Sequence, residues 1–179
     1  MKKSPTNWFK FSLSLVVFLL VRLIPFRPPN IEPILAAQMP LAGVYGAGAG
    51  FLFGVLSILF YDIFTQTLGP WSILTAGAYG LLGLGAAFYL RNKKSIRSYV
   101  GFAIMGTIFF DAVTMLTGPL FFNQPLLLAL TGQISFTALH LLGNISFAVF
   151  LSPVIYSLLA PDKNPKITQA VSLINPKII

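Results

Sequence analysis

From Gly132 to Leu159 the chain carries no Asp, Glu, Lys or Arg, yet Gln133, Thr137, His140 and Asn144 stand within it, spaced i, i+4, i+7 and i+11. On an α-helix that spacing draws one polar stripe along a single face. The surrounding positions, among them Phe136, Leu139, Leu141, Leu142, Ile145, Phe147, Val149 and Phe150, are apolar. Hydrocarbon offers no hydrogen-bond partner, so a polar stripe on a helix otherwise fit for lipid has to face protein or a water-filled cavity. We read this face as one wall of a ligand site.

The rest of the chain makes lipid the solvent. Its 179 residues are 56% hydrophobic and 9% charged, with a mean hydropathy of +0.82, where a soluble domain carries about a quarter charged residues. A soluble fold of this length could not hide so much apolar surface, which makes this an all-α integral membrane protein. Cysteine is absent, which excludes disulfides, thiolate metal sites and thiol nucleophiles. The net charge of +8 would point to nucleic acid in a soluble protein; here its distribution points to topology, and no nucleic-acid partner is expected. The basic start Met1-Lys2-Lys3 and the apolar run after it have the outline of a signal peptide. Bulky Leu23-Ile24-Pro25-Phe26-Arg27 stands where a small-x-small cleavage site would be, so an uncleaved first membrane helix is expected.

Breaks at Pro and Gly divide the chain into six expected helices. They cover about 8–24, 31–45, 47–64, 71–90, 99–116 and 132–159, with 119–131 a loop or re-entrant stretch. A polar, Pro-containing tail follows from Pro161, so residues 1–160 form the membrane domain and 161–179 a cytoplasmic tail. Basic residues cluster at Lys2, Lys3 and Lys10, at Arg91, Lys93, Lys94 and Arg97, and at Lys163, Lys166 and Lys177. The positive-inside rule places all three clusters on the cytoplasmic side of the cell membrane. An even number of spans then separates each from the next: six helices, both termini inside, Arg22 and Arg27 outside. The second helix, near fifteen residues where ~20 are needed to span squarely, has to be tilted, broken or partly re-entrant.

In this topology the ionisable groups collect at one depth. Asp111 lies ~9 Å and His140 ~10 Å below the outer ends of their helices at 1.5 Å per residue, and Asp62 and Glu32 lie closer to the outer surface. Each also has a plainer role. Asp111, with Thr107 and Thr114 on its face, could pair with His140 to lock two helices together. Asp62 could hold the adjoining loop, and Glu32 could cap the second helix. Gln133 and Asn144 could glue helices, and Trp71 could belong to an interfacial belt. Arg22 could snorkel to headgroups or, with Arg27, draw in an anionic ligand. His140 is the single histidine and no ligand-grade spacing accompanies it, so neither metal nor cofactor is expected. Small residues recur at Ala42, Gly46, Gly50 and Gly54, and again at Ala76, Gly80, Gly83 and Ala87. Such faces let helices approach closely, either inside the chain or against another subunit.

Together these stretches resemble a known family. Its marks are Pro29-Asn30-Ile31-Glu32-Pro33 after the first helix, a Gly-rich third helix ending near Asp62, and Gly69-Pro70-Trp71 opening a Gly-rich fourth. Phe110-Asp111 with Thr114 in the fifth helix and the His140/Asn144 sixth helix complete the set. Over residues 8–160 the chain resembles the substrate-binding S components of energy-coupling-factor (ECF) transporters, importers of vitamins and related micronutrients. The resemblance implies six helices and an outward-facing pocket built from the outer parts of helices four to six and the loops near helices one and three. It also implies a coupling membrane subunit and two cytoplasmic ATPase subunits as partners, with no catalysis by the S component itself. Neither a Walker A motif, nor Gly-x-Ser-x-Gly, nor His-Glu-x-x-His occurs. Where the family often carries an Ala-x-x-x-Ala docking face on helix one, this chain has Ser12 and Ser14, and the small face of helix three is the expected substitute.

The function expected is therefore binding of a small, ring-containing micronutrient in an ATP-driven importer. The ligand would lie against Trp71, Phe110 and Phe136, with hydrogen bonds from Asp111, Gln133, His140 and Asn144, Thr114 beside Asp111, and Asn30 and Asn123 near the mouth. The alternatives are a non-transporting membrane scaffold of the cell-shape type and an intramembrane enzyme using Asp111 and His140.

Overall fold

The structure, a computed structural model, describes residues 5–25 and 32–160. Asn30, Arg27, Lys2, Lys3 and the tail from Pro161, with its three lysines, lie outside the described residues. The regular elements are α1 (Pro5–Arg22), α2 (Ile34–Tyr45), α3 (Ala47–Phe64), α4 (Pro70–Tyr89), α5 (Ile96–Met115), α6 (Thr117–Phe122) and α7 (Leu126–Leu159), with no strand among the described residues. Four segments are long and apolar enough to cross a membrane: α3, α4, the α5–α6 stretch Ile96–Phe122, and α7. No more than 44% of any of them is buried inside the protein, so lipid has to cover the remainder, as in a multi-pass membrane protein.

The helix bounds differ from the sequence reading where prolines act. The second helix starts at Ile34 rather than 31 because Pro33 disfavours helical backbone at Glu32. Glu32 makes no cap; Pro33 occupies the N-cap position without a side-chain bond. The stretch 119–131 is largely helical. Pro119 stands in the first turn of α6, where its missing N–H is not needed. Asn123 turns the chain with left-handed φ 51°, and α7 begins after Pro125. The last helix is thus a full turn and more longer than the polar stripe demanded.

The fold is organised around α2. This twelve-residue helix is buried from Ile34 through Ala42, and it packs on α1, α3, α4, α5 and α7. A helix that is apolar all round belongs in a core, and here protein, not lipid, surrounds it. The turn from α2 into α3 is made at Gly46, whose φ of +91° a side chain would strain. Behind it, α3 and α4 cross backbone to backbone. A Cβ built on Gly50 would stand 2.6 Å from the Gly83 carbonyl oxygen and 2.6 Å from the Ala42 Cβ, and one on Gly83 would collide with the Gly50 carbonyl. Gln38 of α2 ties the crossing, its Nε2 donating to the Gly50 oxygen at 2.9 Å and the Tyr79 oxygen at 2.6 Å. The small-residue face is therefore spent inside the chain. The expectation that the third helix offers this face to a coupling subunit is corrected, since α4 already occupies it.

Basic side chains gather at one end of the bundle. Lys10 Nζ donates to the Leu158 oxygen at 2.7 Å, and Lys93 and Lys94 lie over the rings of Tyr89 and Tyr156. This end holds the start of α1 and the close of α7.

Alanine substitution separates close packing from propensity. Gly77→Ala, whose Cβ meets nothing within 4 Å, is expected to raise thermal stability in detergent by up to ~1 kcal/mol through helix propensity. Gly83→Ala is expected to lower it by about 1–3 kcal/mol through overpacking. Thermal unfolding of the two purified variants beside the parent checks the opposite signs.

Candidate functional site

A hollow follows from the shortness of α2. Starting together at Gly46, α2 rises about 18 Å and α3 about 27 Å at 1.5 Å per residue, so α3 overtops the buried helix by about 9 Å. The bundle is thus left without a central helix at the end opposite the lysines, and there a cavity of about 230 Å³ opens.

Its walls come from every surrounding helix. Ile58 and Asp62 line it from α3, Trp71, Thr75 and Tyr79 from α4, Phe110 and Thr114 from α5, and Phe136 and His140 from α7, with Arg22 and Glu32 below the chain's first break. Trp71 is placed by the residues before it. Pro70 opens α4, the Gly69 N–H donates to Ser72 Oγ at 3.1 Å, and the indole folds back over Gly69, where a Cβ would come within 2.6 Å of Trp71 Cζ2. From there Trp71 meets Phe122 of α6 with ring centroids 5.9 Å apart. Tyr79 and Phe110 pack at 4.4 Å, and the rings of Phe110 and Phe136 stand edge-on to His140 at 5.6 and 5.7 Å.

Two pairs carry the polarity, one buried and one partly buried. His140 Nδ1 and Asp111 Oδ1 are 2.7 Å apart, joining α7 to α5. With Nδ1 engaged, Nε2 has no protein partner among the described residues, and the ring lines the cavity. Asp111 Oδ2 is buried and unbonded. On the other side Arg22 Nη1 donates to the Ser57 oxygen at 2.7 Å, Nη2 lies 3.2 Å from Glu32 Oε2, and the guanidinium covers the Tyr61 ring at 3.9 Å. Arg22 is 6% exposed and does not snorkel; three partners hold it inside. Asp62 is 8% exposed and lines the cavity, and its carboxylate has neither hydrogen bond nor ion pair to any described residue.

Five of the expected contacts, Trp71, Phe110, Thr114, Phe136 and His140, come together on the cavity, with Asp111 directly behind His140. Asn144 instead lies deeper, where its Nδ2 donates to Thr107 Oγ1 of α5 at 2.8 Å. Gln133 bonds along its own helix to Thr137 at 3.1 Å and faces a neighbouring hollow under α6. Asn123 is exposed at the end of α6, outside the cavity lining, and Asn30 lies outside the described residues. The polar stripe of α7 thus divides: His140 serves the cavity, Asn144 the α5 contact, and Gln133 and Thr137 one another. Arg22, Glu32, Asp62 and Tyr79, with Ile58 and Thr75, complete the wall. The first three were visible as charges within apolar segments, whereas Tyr79 carried no signal that separates it from a core aromatic. Among the described residues no three His, Asp or Glu side chains gather as a metal site.

No family model, curated protein or solved structure matches the chain.

The deep pair and the cavity pair are separable by stability. A double-mutant cycle of Thr107→Val and Asn144→Ala is expected to give a coupling energy of ~0.6 kcal/mol, with about 1.7 as the upper end for such bonds in membranes. Unfolding of the two single variants and the double variant in mixed micelles measures it; a coupling of zero would deny the bond.

Proposed function

We propose that this chain is the substrate-binding membrane subunit of an ECF-type importer, taking a vitamin-like micronutrient from outside the cell. The observation that carries this reading is the buried Asp111–His140 pair standing beside an aromatic cavity. A pair whose sole task was to join two helices would need no void next to it, and a mostly apolar pocket with a few fixed polar groups is what small ring-bearing ligands require. In this reading α1 to α5 and α7 are the six membrane helices. The short α2 needs no full span because its neighbours shield it, and α6 lies at the outer surface. The lysine-rich end is cytoplasmic by the positive-inside rule, which turns the cavity outward. The chain itself catalyses nothing: His140 and Asp111 fix a ligand, and energy comes from two ATPase subunits acting through a coupling membrane subunit. With the small face of α3 consumed by α4, that subunit docks on lipid-facing surface, for which the exposed apolar side of α1 (Phe9, Leu13, Val16, Leu20) is available.

Native mass spectrometry of the protein purified from membranes is expected to find one bound small molecule. His140→Ala and Trp71→Ala are expected to weaken its binding about tenfold or more, ~1.4 kcal/mol, and Asn123→Ala to leave it unchanged. Pull-down should recover ATPase subunits. Recovery of cell-wall assembly proteins with no bound molecule would replace the importer by a scaffold.

A further inference from the structure

The wall of the cavity also fixes the sign of the ligand's charge. Of the four acidic residues in the chain, three, Glu32, Asp62 and Asp111, stand at this one hollow. Arg22 is the cation that lines it, and it is already committed: Nη1 to the Ser57 oxygen, Nη2 to Glu32, its face to Tyr61, and Nε sealed from solvent. Formal charges then add simply. Arg22 and Glu32 cancel, Asp62 contributes −1, and a hydrogen-bonded Asp111–His140 pair contributes 0 or −1. Among the described residues the sum is −1 or −2 for either state of the pair and never positive. A carboxylate or phosphate would meet negative charge there with no free cation among the described residues to receive it.

Asp62 is the decisive group. More than nine-tenths buried as a residue and without a partner among the described residues, it lines the cavity together with four aromatic side chains. A carboxylate at such a cavity is left to water or to a cation that enters and pairs with it. Trp71, Tyr79, Phe110 and Phe136 line the cavity with aromatic rings, which attract organic cations at ~0.5–2 kcal/mol each when desolvated.

We propose that the cavity takes a compact organic cation, an amine or quaternary ammonium carried on or beside a single ring system, with Asp62 as its counter-ion and His140 Nε2 as its neutral hydrogen-bond partner. The volume of about 230 Å³ lies below the ~300–1,000 Å³ of drug-sized sites, which fits one compact ring system. This inference names the substrate class for the importer reading and rests on it for the ligand's source, but the charge argument stands on the cavity alone.

Three probes of one ring size and different charge test it: benzyltrimethylammonium, benzyl alcohol and benzenesulfonate, titrated onto the full-length protein in nanodiscs by calorimetry. The ammonium is expected to bind at least tenfold more tightly than the alcohol, and the sulfonate not at all. Asp62→Asn is expected to erase the tenfold preference, and Asp62→Glu to keep most of it. A thermal melt of the Asn variant superimposable on the parent's certifies that it is folded. Sulfonate binding equal to or tighter than ammonium, an ammonium affinity indifferent to Asp62→Asn, or no binding of any probe overturns the proposal. The importer reading fails separately, on absence of ATPase subunits in the pull-down. A neutral or anionic molecule found bound to the purified protein would sink the cation and spare the importer.

Discussion

Everything in this molecule depends on a helix too short to cross a bilayer being enclosed by longer ones, four of them long and apolar enough to cross it. Backbone polar groups in hydrocarbon must be satisfied within the segment, and a segment ending at mid-depth leaves its first N–H groups and last carbonyls unpaired. The twelve residues of α2 escape that penalty because five other helices keep lipid from them. That enclosure requires α3 and α4 to approach closely behind α2. Only glycine at positions 50 and 83 permits their backbones to touch, and Gln38 fastens the contact with two bonds to carbonyls on the crossing helices. The void above α2 is the other side of the same fact. It is not an imperfection of packing but the space that a full-length central helix would have filled.

Polar side chains sort themselves by their distance from that void. Below it, Gln38, Ser152 and the Thr107–Asn144 pair reach only other protein groups; Ser152 Oγ donates to the Ala36 oxygen at 2.9 Å. These bonds are worth little individually, and their effect is to fix helix register. At the void the bonds are of another kind. Asp111 holds one edge of His140 so that the other edge is presented, and Ser57, Glu32 and Tyr61 immobilise Arg22. Side chains held in this way have little conformational freedom left to lose.

Much of this was legible in residue order, and the limits of legibility are instructive. All-helical membrane character followed from hydropathy alone. The meeting of Asp111 with His140 followed from depth, even though α7 begins earlier than expected and places His140 some 21 Å along it at 1.5 Å per residue. What sequence could not resolve was partner choice along one stripe. His140 and Asn144 are one turn apart on the same face, yet one fronts the cavity and the other bonds Thr107, because α2 stops between their levels. Periodicity reports which face a residue occupies and is silent about where a neighbouring helix ends. The same blindness affected the glycines: a small-residue face reads identically whether α4 or a foreign subunit covers it. Arg22 and Glu32 were visible as isolated charges, but nothing in the nine residues between them showed that they form a pair.

The charge distribution links topology to recognition. A chain with twelve basic residues and four acidic ones has little acid to place, and it places three of the four beside one hollow while Lys10, Lys93 and Lys94 gather at the far end of the bundle. The placement does not serve solubility, since groups buried in a helical bundle contribute nothing to that. Lysines at one end bias insertion through their attraction to anionic headgroups and the cost of moving them across the bilayer. Acids at the other end cannot aid insertion comparably, because Asp and Glu weigh little in orientation. Arg22 neutralises one, His140 engages a second, and Asp62 lines the cavity without a partner among the described residues.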